Sequence, residues 1–131
     1  MAGEESLVRV EQSPKGAVAR VLREELIEDA TVLQVEEELL TVVFEHPGKN
    51  MVLDLGRVRL LSSGLLGALL RVKEELSRQG GRLVLCGVHR KVTNTPDDKY
   101  LYELLKVVKL DTVFEICESV EEALLKLDVA E

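Results

Sequence analysis

The sequence predicts an α/β domain in which helices pack on one mixed, mostly parallel β-sheet. Three observations carry this expectation. The 131 residues suffice for one domain and leave no room for a second. After an opening hairpin, short apolar runs bounded by glycine or proline alternate with segments of helical periodicity. The resulting order, β-β-α-β-α-β-α-β-α, requires crossover connections and therefore parallel strands. The domain is expected to span residues 7–127, with flexible ends at 1–6 and 128–131.

The elements follow in order. Leu7–Gln12 alternates apolar and polar residues, Ser13-Pro14-Lys15-Gly16 is a turn, and Ala17–Leu22 is a second apolar run, so the chain opens with a hairpin. Thr31, followed by Gln34, fits a capping box with Thr31 as N-cap, and predicts a helix from about Thr31 to Glu45. Leu33, Leu40 and Phe44, with Val43 alongside, recur at helical spacing as its inner face, while Glu36, Glu37 and Glu38 fall mainly on its wet face. His46-Pro47-Gly48 stops it. Met51–Leu55 is a short strand. A long helix from about Ser63 to Gln79 carries the stripe Leu65, Leu69, Val72 and Leu76, widened by Leu66 and Leu70, and ends at Gly80-Gly81. Arg82–Cys86 is a strand, Thr93–Asp98 a polar loop, Tyr100–Val108 a helix and Val113–Cys117 a strand. Ser119 and Glu122 form a capping box for a last helix with Ala123, Leu124 and Leu127 on its apolar side.

Composition excludes more than it names. The net charge of −7 argues against nucleic acid and anionic membranes as partners. Phe44, Phe114, Tyr100 and Tyr102 are the only aromatic residues, too few for a base-stacking platform. Cys86 and Cys117 lie 31 residues apart rather than at the paired spacing of a zinc site, and no metal or cofactor is expected. Cys86 and Cys117 read as reduced, buried thiols. The acidic start Met1-Ala2-Gly3-Glu4-Glu5 is not expected to act as a signal peptide, and no apolar run approaches the ~20 residues of a membrane helix. A cytoplasmic protein without direct membrane insertion is expected.

Chemistry-bearing motifs are sparse. No Gly-x-Gly-x-x-Gly, Walker lysine loop, His-Glu-x-x-His, Cys-x-x-Cys or Gly-x-Ser-x-Gly occurs. Cys86 ends a strand, where a phosphatase nucleophile would sit, but Gly87-Val88-His89-Arg90 is a poor anion loop and a buried thiol is the plainer reading. Arg82, His89, Arg90 and Lys91 form a basic cluster that reads as a solubilising rim. The informative segment is Leu60-Leu61-Ser62-Ser63-Gly64-Leu65-Leu66, with two hydroxyls where a loop enters a helix. Capping explains one serine and leaves the other. A phosphate in the first turn of a helix meets free N–H groups and the positive end of the dipole, and adds nearly two negative charges to an apolar and hydroxyl surface.

With that segment the sequence resembles a STAS domain of the anti-sigma factor antagonist type. Met51-Val52-Leu53-Asp54-Leu55 is similar to the family's strand ending in Asp-Leu, and Ser62-Ser63-Gly64-Leu65 to its Asp-Ser-Ser-Gly-Leu signature. Gly80–Gly87, Leu110–Ile116 and Ser119–Leu124 continue the likeness in order, so that it covers about residues 7–127. The resemblance implies a non-catalytic regulator that binds an anti-sigma factor, often a serine kinase, and releases a sigma factor. It implies phosphorylation of Ser63 by that kinase and reversal by a serine phosphatase. It implies partner contacts at Ser62, Ser63, Gly64 and Leu66, to which the width of the apolar stripe adds Leu70. Asp54, Glu28 and Asp29 are assigned supporting roles.

Four features depart from the family pattern: Leu61 in place of the acid before the serines, and Ile27 in place of the acid after the second strand, with Glu28 and Asp29 adjacent. Thr93–Tyr100 is an insertion, and Lys109 replaces the glycine before Leu110. The alternative to a phosphorylation switch is a STAS subunit acting as an unswitched scaffold in a signalling or lipid-transport complex, which Leu61 favours. An enzyme using Cys86 is the remote third reading.

Overall fold

The computed structural model describes residues 5–47, 49–88 and 113–127. Its elements are β1 (Val8–Ser13), β2 (Gly16–Val21), β3 (Glu25–Leu26), α1 (Asp29–Glu45), β4 (Met51–Asp54), β5 (Leu60–Leu61), α2 (Ser63–Arg78), β6 (Leu83–Cys86), β7 (Glu115–Cys117) and α3 (Val120–Leu127). The main sheet runs β1-β2-β4-β6-β7, with β1 antiparallel and the other pairings parallel. The α/β class, the mixed sheet and the opening hairpin are as expected. The helix expected at Tyr100–Val108, the Thr93–Tyr100 insertion and Lys109 lie outside the described residues, as do His89, Arg90 and Lys91.

Strand periodicity divides the core into two layers. Ala17, Ala19, Val21, Met51, Leu53, Leu83 and Leu85 face α1 and α2. Val18, Val52, Val84, Cys86 and Cys117 face α3, where Ala123 packs against them. Burial on both faces explains why β4 and β6 are continuous apolar runs rather than alternating ones. The stripe Leu65, Leu69, Val72 and Leu76 is buried, as its spacing predicts. Helix α2 ends in a Schellman motif: Gly80, at φ 88°, donates to the carbonyl of Ser77 and Gly81 donates to that of Leu76. The Ser119 cap is present, its hydroxyl accepting the N–H of Glu122 at 3.1 Å.

Helix α1 differs from expectation in its start and its face. It begins at Asp29 with Glu28 as N-cap and no side-chain cap bond, so Thr31 lies inside it. Its buried face is Val32, Val35, Leu39, Val42 and Val43, while Leu33 and Phe44 are 54% and 57% exposed. Both sets recur at helical spacing, so the sequence offers two apolar stripes. The two-sided contact of α1 with the sheet and with α2 buries the valine stripe.

Glu36 is buried rather than wet, because Arg71 of α2 reaches across to it with two hydrogen bonds, at 2.5 and 2.9 Å. Glu38 accepts the N–H groups of Leu7 and Val8, tying the start of β1 to α1. The Arg71 hydrogen bonds hold the Glu36 carboxyl below its ordinary range, against the opposing effect of burial. A carboxyl lowered on folding adds stability that is complete above its unfolded pKa and is lost as pH falls through the folded one. Replacing Arg71 with Met is therefore expected to raise the Glu36 pKa and shrink the stability gained between about pH 3 and pH 6. Urea midpoints across that range check this. An unchanged pH slope would show that the pair contributes nothing.

Strands β3 and β5 were not foreseen. They form a separate two-stranded parallel pairing, Glu25 with Leu60 and Leu26 with Leu61. Two residues per strand give no periodic signal in a sequence. Arg59 extends the pairing by donating its N–H to the carbonyl of Glu24, and Ser62 by donating to that of Leu26.

Candidate functional site at the start of helix α2

This short pairing places the helix start. Ser62 is the N-cap of α2, with extended backbone (φ −99°, ψ 164°), and its hydroxyl makes no capping hydrogen bond. The first turn is closed by backbone instead, Leu65 donating to the carbonyl of Ser62 at 3.1 Å. Capping therefore does not account for the Ser62 hydroxyl, although serine is a favoured residue there. Ser63 is the first helical residue and Gly64 the next, exposed and without a side chain. The first turn carries no acidic side chain to offset the helix dipole.

The expected contact residues separate in depth. Leu65 is fully buried and anchors the turn. Leu66 is only 8% exposed and belongs to the core, so it supports the surface from below. Leu70 is 40% exposed on the next turns. Gly64 and Leu70 remain as accessible positions, with Ser62 partly so. Ile27 joins this surface without any mark in the sequence. It is 42% exposed and stands beside Ser62, because the Leu26 carbonyl accepts the Ser62 N–H. No sequence signal could have placed it there, since the placement depends on the β3–β5 pairing. Glu28 and Asp29 are exposed at the start of α1, immediately after that pairing.

Asp54 sits at the carboxyl end of β4, away from the serine hydroxyls in its bonding. One carboxylate oxygen accepts the Gly56 N–H at 2.8 Å and the other accepts from Arg20 at 3.2 Å. It shapes the loop that leads from β4 toward β5 and α2. Gly87 closes over this loop: at φ 75°, a Cβ placed on it would lie 2.7 Å from the Gly56 nitrogen and 2.8 Å from the Asp54 carboxylate.

The cysteines offer no poised nucleophile. Burial, with the Asp54 carboxylate adding to it, pushes the Cys86 thiol up to about 12, and burial raises Cys117 as well. A thiol so raised stays protonated at neutral pH. Arg82, read as part of a basic rim, is bound to Glu115 at 2.6 and 3.1 Å and ties β6 to the edge strand β7. Among the described residues no group of His, Cys, Asp and Glu could hold a metal ion, and no helix is long and apolar enough to cross a membrane.

A model of the STAS domain family matches residues 13–123. Among solved structures, the chain is similar to an anti-sigma-factor antagonist (STAS) domain protein from Planctomyces limnophilus, with 22% identity over 93% of this chain and 98% of that one, at a TM-score of 0.73. It is similar to an anti-sigma factor antagonist from Mycobacterium paratuberculosis, with 24% identity over 93% of each chain and a TM-score of 0.69. It is also similar to the Bacillus cell fate determinant SpoIIAA in its phosphorylated form, with 19% identity over 92% of this chain and 98% of that one, at a TM-score of 0.61.

Proposed function

The chain belongs to the STAS domain family, and we propose that within it the protein acts as an anti-sigma factor antagonist-like regulator, binding an anti-sigma factor or serine kinase and switched by phosphorylation of Ser63. The observation that carries this reading is the start of α2. There Ser62 has a hydroxyl unused by capping, Gly64 is bare and exposed, and no acidic side chain occupies the first turn. A phosphate on Ser63 would be held by the helix N-terminus and would add charge where an apolar partner surface meets Ile27 and Leu70. Partner contact then rests on Ser62, Ser63, Gly64 and Leu70, with Leu66 beneath them and Asp54, Glu28 and Asp29 shaping the approach. The domain does no chemistry of its own; Ser63 is a substrate. A serine phosphatase resets it, and the cycle runs in the cytoplasm.

Copurification of the protein from its host, with the mass of the Ser63 peptide measured, tests this. The expected result is a bound serine kinase or anti-sigma factor and a phosphate on Ser63, with Ser63→Asp weakening the complex at least tenfold, as an unpaired charge buried against an apolar surface would. Leu61 in place of an acid beside the serines favours a second reading, an unswitched scaffold subunit. A stable complex that Ser63→Asp leaves intact would establish that reading and remove the switch.

A further inference from the structure

The two edges of the main sheet differ. At one edge β7 is three residues long and offers a further strand little to pair with. At the other, β1 is six residues long and contains no proline. Two backbone bonds fix which of its groups face outward. Leu22 donates to the carbonyl of Leu7, and Ala17 donates to the carbonyl of Asn50 on the β4 side. Antiparallel bonding alternates, so Arg9, Glu11 and Ser13 turn their backbone groups toward β2, and Val8, Val10 and Gln12 turn theirs outward. Glu38 accepts the outward N–H of Val8. Among the described residues, no hydrogen bond engages the outward groups of Val10 and Gln12. Val10, in the middle of this edge, is 38% exposed.

The side chains make the edge complementary to itself. Arg9 and Glu11 flank Val10 and project from the same face of the strand. When a second β1 lies antiparallel with Val10 opposite Val10, each Arg9 faces the Glu11 of the other copy, twice by the two-fold symmetry. A shift of two residues one way sets Arg9 against Arg9, and the other way Glu11 against Glu11, which like charges disfavour. A shift of one residue sets outward groups against inward ones and breaks the bonding. The charges also want a partner. Within one copy Arg9 stands opposite Arg20, and its guanidinium makes no hydrogen bond or ion pair among the described residues. Glu11 reaches Arg20 only at 3.5 Å and stays exposed. We propose that β1 is a self-association edge, where two copies of this chain pair antiparallel about Val10 and join their sheets into one. The two Val10 residues exchange two backbone bonds, each Gln12 N–H donates to the Val8 carbonyl of the other copy, and two Arg9–Glu11 ion pairs close the contact. The contact is small, so the dimer is weak and depends on concentration. It uses none of the residues at the start of α2.

Sedimentation equilibrium of the full chain, up to about 1 mM, tests this. The mass is expected to rise with concentration from 14.6 kDa toward twice that value. Val10→Pro removes an N–H that β2 does not use, and is expected to leave a monomer throughout. Arg9→Glu and Glu11→Arg each bring like charges face to face and are expected to weaken the dimer about tenfold or more. An equal mixture of these two variants sets opposite charges together at both positions, and is expected to recover the association of the unaltered chain. All three substitutions are at exposed positions, and urea midpoints verify folding; the charge reversals carry the test alone should Val10→Pro fail to fold. The proposal is overturned by a chain that stays monomeric at every concentration, by a dimer that both charge reversals leave intact, or by variants that do not recover on mixing. A chain that is monomeric alone and pairs this edge with a strand of a different protein overturns it too.

Discussion

Leu65→Ala is expected to destabilise the protein by about 2–5 kcal/mol, the range for truncating a buried leucine. Leu65 has no exposed surface and sits in the first turn of α2, directly after Ser63 and Gly64. Its side chain joins the same apolar layer as Leu53 and Leu85, so it fastens the helix start to the middle of the sheet. Removing it leaves a cavity between α2 and the strands, and the turn that presents the serines loses its anchor. Urea denaturation measures the effect, with the slope checked for constancy so that the midpoint reports stability. Leu70→Ala provides the contrast. With 40% of its surface exposed, Leu70 is expected to cost well under half as much in stability while weakening partner binding. Equal losses in the two variants would show that the α2 start is not anchored as described.

Gly87→Ala is expected to cost roughly 1–3 kcal/mol or more, from two sources acting together. Its backbone, at φ 75°, lies in the left-handed region that a Cβ penalises. The added Cβ would also approach the Gly56 nitrogen and Cα and the Asp54 carboxylate to within 2.7–2.8 Å, so backbone must move. The loop that must give carries Arg57 and leads into β5 and Ser62. The variant is therefore expected to shift the amide resonances of Gly56–Ser62 as well as the urea midpoint. Gly67→Ala tests the argument from the other side. Gly67 lies within α2, and the nearest atom to its Cβ would be an Arg71 guanidinium nitrogen at 3.7 Å, an ordinary contact. There alanine is expected to stabilise by about 0.4–1 kcal/mol, through the lower entropy of the unfolded chain. Stabilisation at Gly87 would refute the close approach over Asp54.

Much of this fold was legible residue by residue. Helix α2 could be read because its buried stripe, its N-terminal serine and its glycine stop agree with one another. The central strands could be read because burial on both faces makes them apolar throughout. The inner face of helix α1 is ambiguous in the sequence because two apolar stripes, one of valines and one through Leu33, Leu40 and Phe44, satisfy the same period. A charged residue between them, Glu36, gave no hint that Arg71 would bury it. For the candidate site, the serines and Gly64 stand out as residue types at a helix start, whereas the depth difference between Leu66 and Leu70 does not.

The amino-acid pattern alone therefore establishes the α/β class, the sheet-forming segments, the α2 helix with its serine start, and the likeness to STAS domains. These properties are local: each is written in spacing, capping or turn chemistry over a few residues. The orientation of α1, the burial of Glu36, the position of Ile27 beside Ser62 and the place of β1 at the edge of the sheet come from the assembled molecule. Each depends on which distant segments pair, as Leu26 with Leu61 or Arg20 with Asp54. Such pairings are decided by the total burial of the packed chain, a quantity that no stretch of the sequence carries by itself.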